Sequence, residues 1–110
     1  MEVFDAFQRG LVGGDVSAFS AYLAPQVYLN LRGAESGYFS ANQAYYVLQD
    51  YLGARRVRAF QFTTYGDSDS SPYATGPGRI ESRGNTDQVQ VYVSLSKSGS
   101  RWVLGQINIY

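Results

Sequence analysis

From Val57 to Tyr110 the chain alternates apolar and polar residues with a period of two, interrupted only by short stretches rich in glycine, serine and aspartate. Successive side chains of a strand point to opposite faces, so this half reads as ribbons with one buried side. "VRAFQFTTYG" sets Phe60, Phe62 and Thr64 on one face and Val57, Ala59, Gln61, Thr63 and Tyr65 on the other. After the turn-rich "DSDSSP", the strand "YATGPGRIES" carries Gly76-Pro77-Gly78, which marks a bulge or bend. "RGNTD" reads as a hairpin turn, and "QVQVYVSLS" then directs Val89, Val91, Val93 and Leu95 inward. "KSGS" turns the chain into "RWVLGQINIY", with Val103, Ile107 and Ile109 on one face and Trp102 and Leu104 on the other. Four strands in a run with tight connections favour a mostly antiparallel sheet.

The first half supplies helices. Val3, Phe4, Phe7 and Leu11 recur at helical spacing over residues 2–12, and Gly13-Gly14 breaks that helix. Asp15 is placed to cap a second short helix, with Val16, Phe19 and Leu23 inward and Pro25 as its stop. "VYLNLRG" returns to strand alternation, and "GAESGYF" reads as a loop. In "SANQAYYVLQDYLG", Ser40 and Gln43 form a capping box, Gly53 occupies a left-handed cap position, and Ala44, Val47, Leu48, Tyr51 and Leu52 make one apolar stripe. Tyr51 therefore belongs to the core, Tyr45 to the core or a cavity wall, and Tyr46 stays open. The expectation is an α+β domain covering residues 1–110, with three N-terminal helices packed on one side of a mostly antiparallel sheet.

Of the 110 residues none is cysteine or histidine. That excludes a disulfide framework, a thiolate zinc site, a thiol nucleophile and the usual general base. Nine basic and nine acidic residues cancel, so no net field draws the chain to nucleic acid or anionic lipid. No apolar run approaches the roughly 20 residues of a membrane span. "MEVFDAFQRG" is amphipathic and acidic, unlike a signal peptide.

"GLVGGDVSAFSAYLAPQVYLNL", "ANQAYYVLQDYL" and the terminal "RWVLGQINIY", with the order of elements around them, resemble the nuclear transport factor 2-like superfamily. Within it the chain is similar to an uncharacterised bacterial family, domain of unknown function 4783. The resemblance implies a cystatin-like cone in which the sheet is strongly curved round a central pocket, and export to the periplasm or cell envelope. It offers both enzymes and binding proteins, and does not choose between them.

Ketosteroid isomerase-type chemistry needs a carboxylate in an apolar pocket with a tyrosine donor. Here the acids have other positions: Asp67, Asp69 and Asp87 in turns, Asp5 and Asp15 at helix starts, Glu2 at the chain end, Glu35 in a loop and Asp50 toward solvent. Glu81 is placed for a cross-strand or surface ion pair. The reading is therefore a binding or interaction domain without cofactor or metal. A histidine-free, metal-free isomerase using one tyrosine and one carboxylate is the alternative. Tyr28, Tyr45, Phe60, Phe62, Tyr92 and Trp102 are the residues expected to line a pocket for a small apolar ligand, unless the same rings fill the cone. Arg55, Arg56 and Arg58 form the one basic cluster, either an anion patch or cations completing a helix end. Gln88, Gln90, Tyr92 and Ser94 with Gln106, Asn108 and Tyr110 make an uncharged sheet face suited to a homodimer.

Overall fold

The computed structural model describes residues 1–68 and 71–110. Helix α1 (Glu2–Gly13) buries Val3, Phe4, Ala6, Phe7 and Leu11, and Gly14 ends it in the left-handed conformation. The second expected helix is absent, so the described residues hold two α-helices and not three. Residues Val16–Ala18 and Ser20–Tyr22 form two 3-10 turns instead. Asp15 does cap the first, accepting from the Ser17 N–H at 3.1 Å. Phe19 then leaves helical geometry at φ −128°, and its fully buried ring lies 4.9 Å from that of Phe7. Two tight turns bring Val16 and Phe19 to the core within a segment too short for a stable α-helix. Leu23, Ala24 and Pro25 already belong to the next strand.

Among the described residues seven strands follow with one helix among them: β1 (Leu23–Leu31), β2 (Ser36–Ser40), α2 (Ala41–Ala54), β3 (Arg56–Phe60), β4 (Thr64–Ser68), β5 (Ser71–Ser82), β6 (Asn85–Ser98) and β7 (Arg101–Ile109). The order across the sheet is β2-β1-β7-β6-β5-β3, and β4 also pairs with β5. Every pairing is antiparallel except β1 with β7, so the α+β fold has a mixed sheet. The stretch expected as a loop, "GAESGYF", contributes β2. Its turn is closed by the Ala34 N–H on the Leu31 carbonyl at 2.9 Å and the Leu31 N–H on the Glu35 carbonyl at 3.0 Å.

The capping box of α2 forms: the Gln43 N–H donates to Ser40 Oγ and the Ser40 N–H to Gln43 Oε1, each at 3.1 Å. Gly53 does not cap the other end. The helix runs to Ala54, and Arg55 is extended at φ −134°. The chain passes straight into β3, so no left-handed residue is required. At the β5–β6 turn Arg83 and Gly84 both have positive φ, 53° and 81°, the geometry of a two-residue hairpin turn that matches strand twist. Asp87 thereby falls in β6 and not in the turn, and Asp67 falls in β4. Asp69 and Ser70, the middle of the expected "DSDSSP" loop, lie outside the described residues.

"VRAFQFTTYG" is two strands, not one, and the break is specified by named contacts. At residues 61–63 the Phe62 N–H leaves the ladder and donates to Gln8 Oε1 of α1 at 3.0 Å, while the Thr63 N–H reaches the Thr75 carbonyl at 2.9 Å. Gly76 stands opposite: a Cβ there would lie 2.0 Å from the Gln61 carbonyl oxygen and 2.8 Å from Phe62 Cα. One further expectation fails at β7. A register shift between Ser94 and Leu95 carries Leu104 inward, so Val103 and Leu104 are both buried.

The space between α1 and the sheet is filled by rings. Phe60 and Phe62 lie 4.8 Å apart, Phe7 sits 6.4 and 6.0 Å from them, and Phe4 is 5.7 Å from Phe62. Two glycines test this account by urea unfolding. Gly76→Ala forces the 61–63 segment off β5 and is expected to cost about 2–4 kcal/mol. Gly53→Ala meets no atom within 4 Å and is expected to stabilise α2 by about 0.5–1 kcal/mol. Equal effects at both positions would contradict the close approach at Gly76.

Candidate functional site

The six aromatic residues expected to line a pocket do not converge. Phe60 and Phe62 are buried in the ring cluster beneath α1. Tyr28 and Tyr92 alternate with the buried Val27, Leu29, Val91 and Val93, so they project from the face of the sheet turned away from the helices. Tyr45 is half-buried on α2, its ring 5.3 Å from that of the exposed Tyr46. Trp102 sits at the β6–β7 hairpin end, where Lys97 Nζ lies 4.5 Å from its ring centre. The interior gap bordered by Leu11, Val57, Ala59, Phe60, Gly78, Ile80, Val89 and Val91 has no room for a water molecule. Among the described residues no polar or charged side chain is buried.

Tyr51 is nevertheless distinctive. Its ring is packed in the core and its hydroxyl donates to the Arg32 carbonyl at 3.0 Å. The Arg55 guanidinium lies 4.0 Å from the ring centre and donates to the carbonyls of Tyr51 and Gly33 at 3.5 and 3.3 Å. Burial pushes the Tyr51 phenol above its ordinary value, and the nearby cations Arg55 and Arg32 pull the other way. A cleft of about 180 Å³ opens here, lined by Arg32, Gly33, Tyr51, Arg55, Ile80, Ser82, Asp87 and Val89. Asp87 is mostly exposed and stands 4.0 Å from Arg32.

On its other side Arg55 borders a larger groove, of about 710 Å³, lined by Val12, Gly13, Gly14, Leu52, Arg55, Arg56, Val57, Arg58 and Arg79. The three arginines expected to cluster are thus together, and Arg79 joins them from β5. The local sequence hides Arg79; the β3–β5 register, which sets Ala59 opposite Arg79, brings it in. Glu81 forms a cross-strand ion pair as expected, with Arg58 at 3.3 Å.

The helix-free face of the sheet has a different chemistry. Tyr28 and Tyr38 rings meet at 5.1 Å, and Tyr73 stacks on Tyr92 at 5.7 Å. Gln90 donates to Thr75 Oγ1 at 2.7 Å and Ser94 to Gln106 Oε1 at 3.3 Å. Apart from the exposed Tyr38 these side chains half-bury one another, and no charge stands among them. Beside them Ala59, Pro77, Gly78, Arg79, Gln88, Val89, Gln90 and Tyr110 line an open groove of about 540 Å³. Among the described residues no helix is long and apolar enough to cross a membrane, and no three metal-ligating side chains cluster.

The family model described as Domain of unknown function (DUF4783) matches residues 4–110. A crystal structure of a DUF4783 family protein from Bacteroides uniformis superposes with a TM-score of 0.78 at 18% identity, over 96% of this chain and 93% of that one. A second, from Bacteroides ovatus, gives 0.76 at 20% identity over 94% and 90%. A hypothetical protein with ketosteroid isomerase-like fold from Catenulispora acidiphila, in complex with trimethylamine, gives 0.73 at 12% identity over 99% and 84%. No curated protein matches in sequence. These likenesses establish the nuclear transport factor 2-like fold.

The buried phenol predicts a pH dependence. A group whose folded pKa is raised adds stability that is fully present below the unfolded value of 10.0 and is lost as pH climbs through the folded value. Stability should therefore fall above pH 10.0. Tyr51→Phe should flatten that fall, at a cost near neutral pH of about 1 kcal/mol for the lost hydrogen bond. Denaturant midpoints at pH 7 and above 10 check this; parallel losses in both proteins would refute it.

Proposed function

The chain belongs to the DUF4783 family, and from that premise we propose that it is a non-enzymatic interaction domain whose helix-free sheet face pairs with a second copy of itself. The observation that carries the reading is the uncharged, tyrosine-bearing centre of that face, formed by Tyr28, Tyr73, Gln90, Tyr92, Gln106 and Asn108. Interface cores are depleted of charge and enriched in tyrosine, and half-buried side chains already locked to one another lose little freedom on association. The molecule measures 43 × 28 × 21 Å along its principal axes. A broad face of that outline exceeds the roughly 800 Å² that each partner gives to a standard interface. We take the unit over residues 1–110 as one domain working outside the cytoplasm, in the periplasm or cell envelope, on the family resemblance.

A small apolar ligand fits this reading on the same face, in the groove beside Pro77, Gln88, Gln90 and Tyr110, since the interior is occupied by phenylalanine. One observation favours a second reading, a metal-free isomerase: Tyr51 and Asp87 line one cleft. Against it, the Tyr51 hydroxyl is already given to a backbone carbonyl and Asp87 is exposed, so neither has the apolar surroundings that such proton transfer uses.

Light scattering during size-exclusion chromatography decides the matter. A dimer with a dissociation constant of about 1 μM or below is expected. Tyr92→Asp, at the centre of the face, should weaken it at least about tenfold by placing a charge in the interface, with far-UV circular dichroism unchanged. A protein that stays monomeric at the highest soluble concentration would sink the proposal.

A further inference from the structure

The arginine groove adjoins the sheet face at Arg79 and carries its own inference. Four of its nine lining residues are arginines and none is acidic. Helix ends account for part of this. α2 ends beside Arg55, which caps it through the Tyr51 carbonyl, and α1 ends at Gly13-Gly14 in the opposite wall. Cations beside such ends are stabilising. Arg58 is held by Glu81. That leaves Arg56 and Arg79, for which no carboxylate lies within ion-pairing distance among the described residues. Arg79 comes from β5, where strand pairing with β3 and not a helix terminus sets its position. Like charges brought to one groove repel, and of its four arginines only Arg58 has a carboxylate partner among the described residues.

We propose that this groove binds a small ligand bearing oxyanions, a polycarboxylate or a phosphoryl compound, through Arg56 and Arg79, with Arg55 as its fixed wall. Guanidinium groups match carboxylate and phosphate geometry with two parallel N–H donors each. Arg55, stacked on Tyr51 and tied to two carbonyls, keeps its position whether or not a ligand is present. Arg56 and Arg79 are exposed and able to close on an anion from neighbouring strands. A volume of about 710 Å³ lies within the roughly 300–1,000 Å³ of small-molecule sites, larger than a bare inorganic ion needs.

The test is a titration of the full chain followed by backbone amide NMR, with inorganic phosphate and with citrate, against sodium chloride at equal ionic strength. Saturable shifts are expected at Gly13, Gly14, Arg56, Val57 and Arg79. The double variant Arg56→Gln, Arg79→Gln should weaken binding at least about tenfold. Arg83→Gln, in the β5–β6 turn, should leave it unchanged. Tighter binding of citrate assigns a polycarboxylate, and tighter binding of phosphate a phosphoryl group. Shifts that are linear with either anion, reproduced by chloride, or indifferent to the double substitution in a protein with unaltered circular dichroism would overturn the site.

Discussion

Five phenylalanine rings between one helix and the sheet determine what the rest of the molecule can do. Phe4 and Phe7 from α1, Phe19 from the 3-10 turns, and Phe60 and Phe62 from β3 and the strand break occupy the space between α1 and the sheet. Each contributes on the order of 1.5–3 kcal/mol by leaving water. Their edge-on contacts depend on the backbone stepping out of the ladder at residues 61–63, which Gln8 satisfies and Gly76 permits. The central pocket expected from the family resemblance is here filled by the chain's own side chains. The two proposed recognition surfaces therefore lie outside, on the sheet face and at the edge of β3.

Those two surfaces are chemically opposite but adjoin. The sheet face is neutral, hydroxyl- and amide-rich, and already cross-linked by its own hydrogen bonds; the groove is cationic. Arg79 borders both the arginine groove and the groove beside Tyr110. β5 therefore links the regions mechanically as well as in sequence, because it is the long strand against which β3, β4 and β6 all register.

Much of the architecture was legible because it rests on local chemistry. The capping box at Ser40, the left-handed stop after Gly13, the buried valines of β6 and the Arg83–Gly84 turn all follow from neighbours within a few residues. Three of the misses share one cause: a distant partner overrode the local pattern. Leu104 turns inward because β6 and β7 slip by a residue, and no periodicity within β7 reveals that slip. The second helix fails because Phe19 is claimed by Phe7. The strand after Val57 breaks because Gly76, fifteen positions beyond Gln61, allows the chain to press against it. The tyrosines divide by the same logic. Helical phase identified Tyr51 as core, whereas strand alternation left open which side Tyr28 and Tyr92 would face until the sheet acquired its helices. Arg79 was invisible as a groove residue because strand pairing, and not sequence proximity, brings it to Arg56.

β7 lies between β1 and β6 and is made after both. The ribbon of β1 and β2 thus has no neighbour on its inner side until residues Arg101–Ile109 have been made. Its apolar side, Val27, Leu29 and Leu31, must wait for that strand, covered by little more than α1 and α2. Closing a parallel pair across so long an intervening chain carries a large entropic cost and is slow. β7 therefore acts as a keystone, and a polypeptide cut short before Ile107 would expose two sticky margins instead of one continuous sheet.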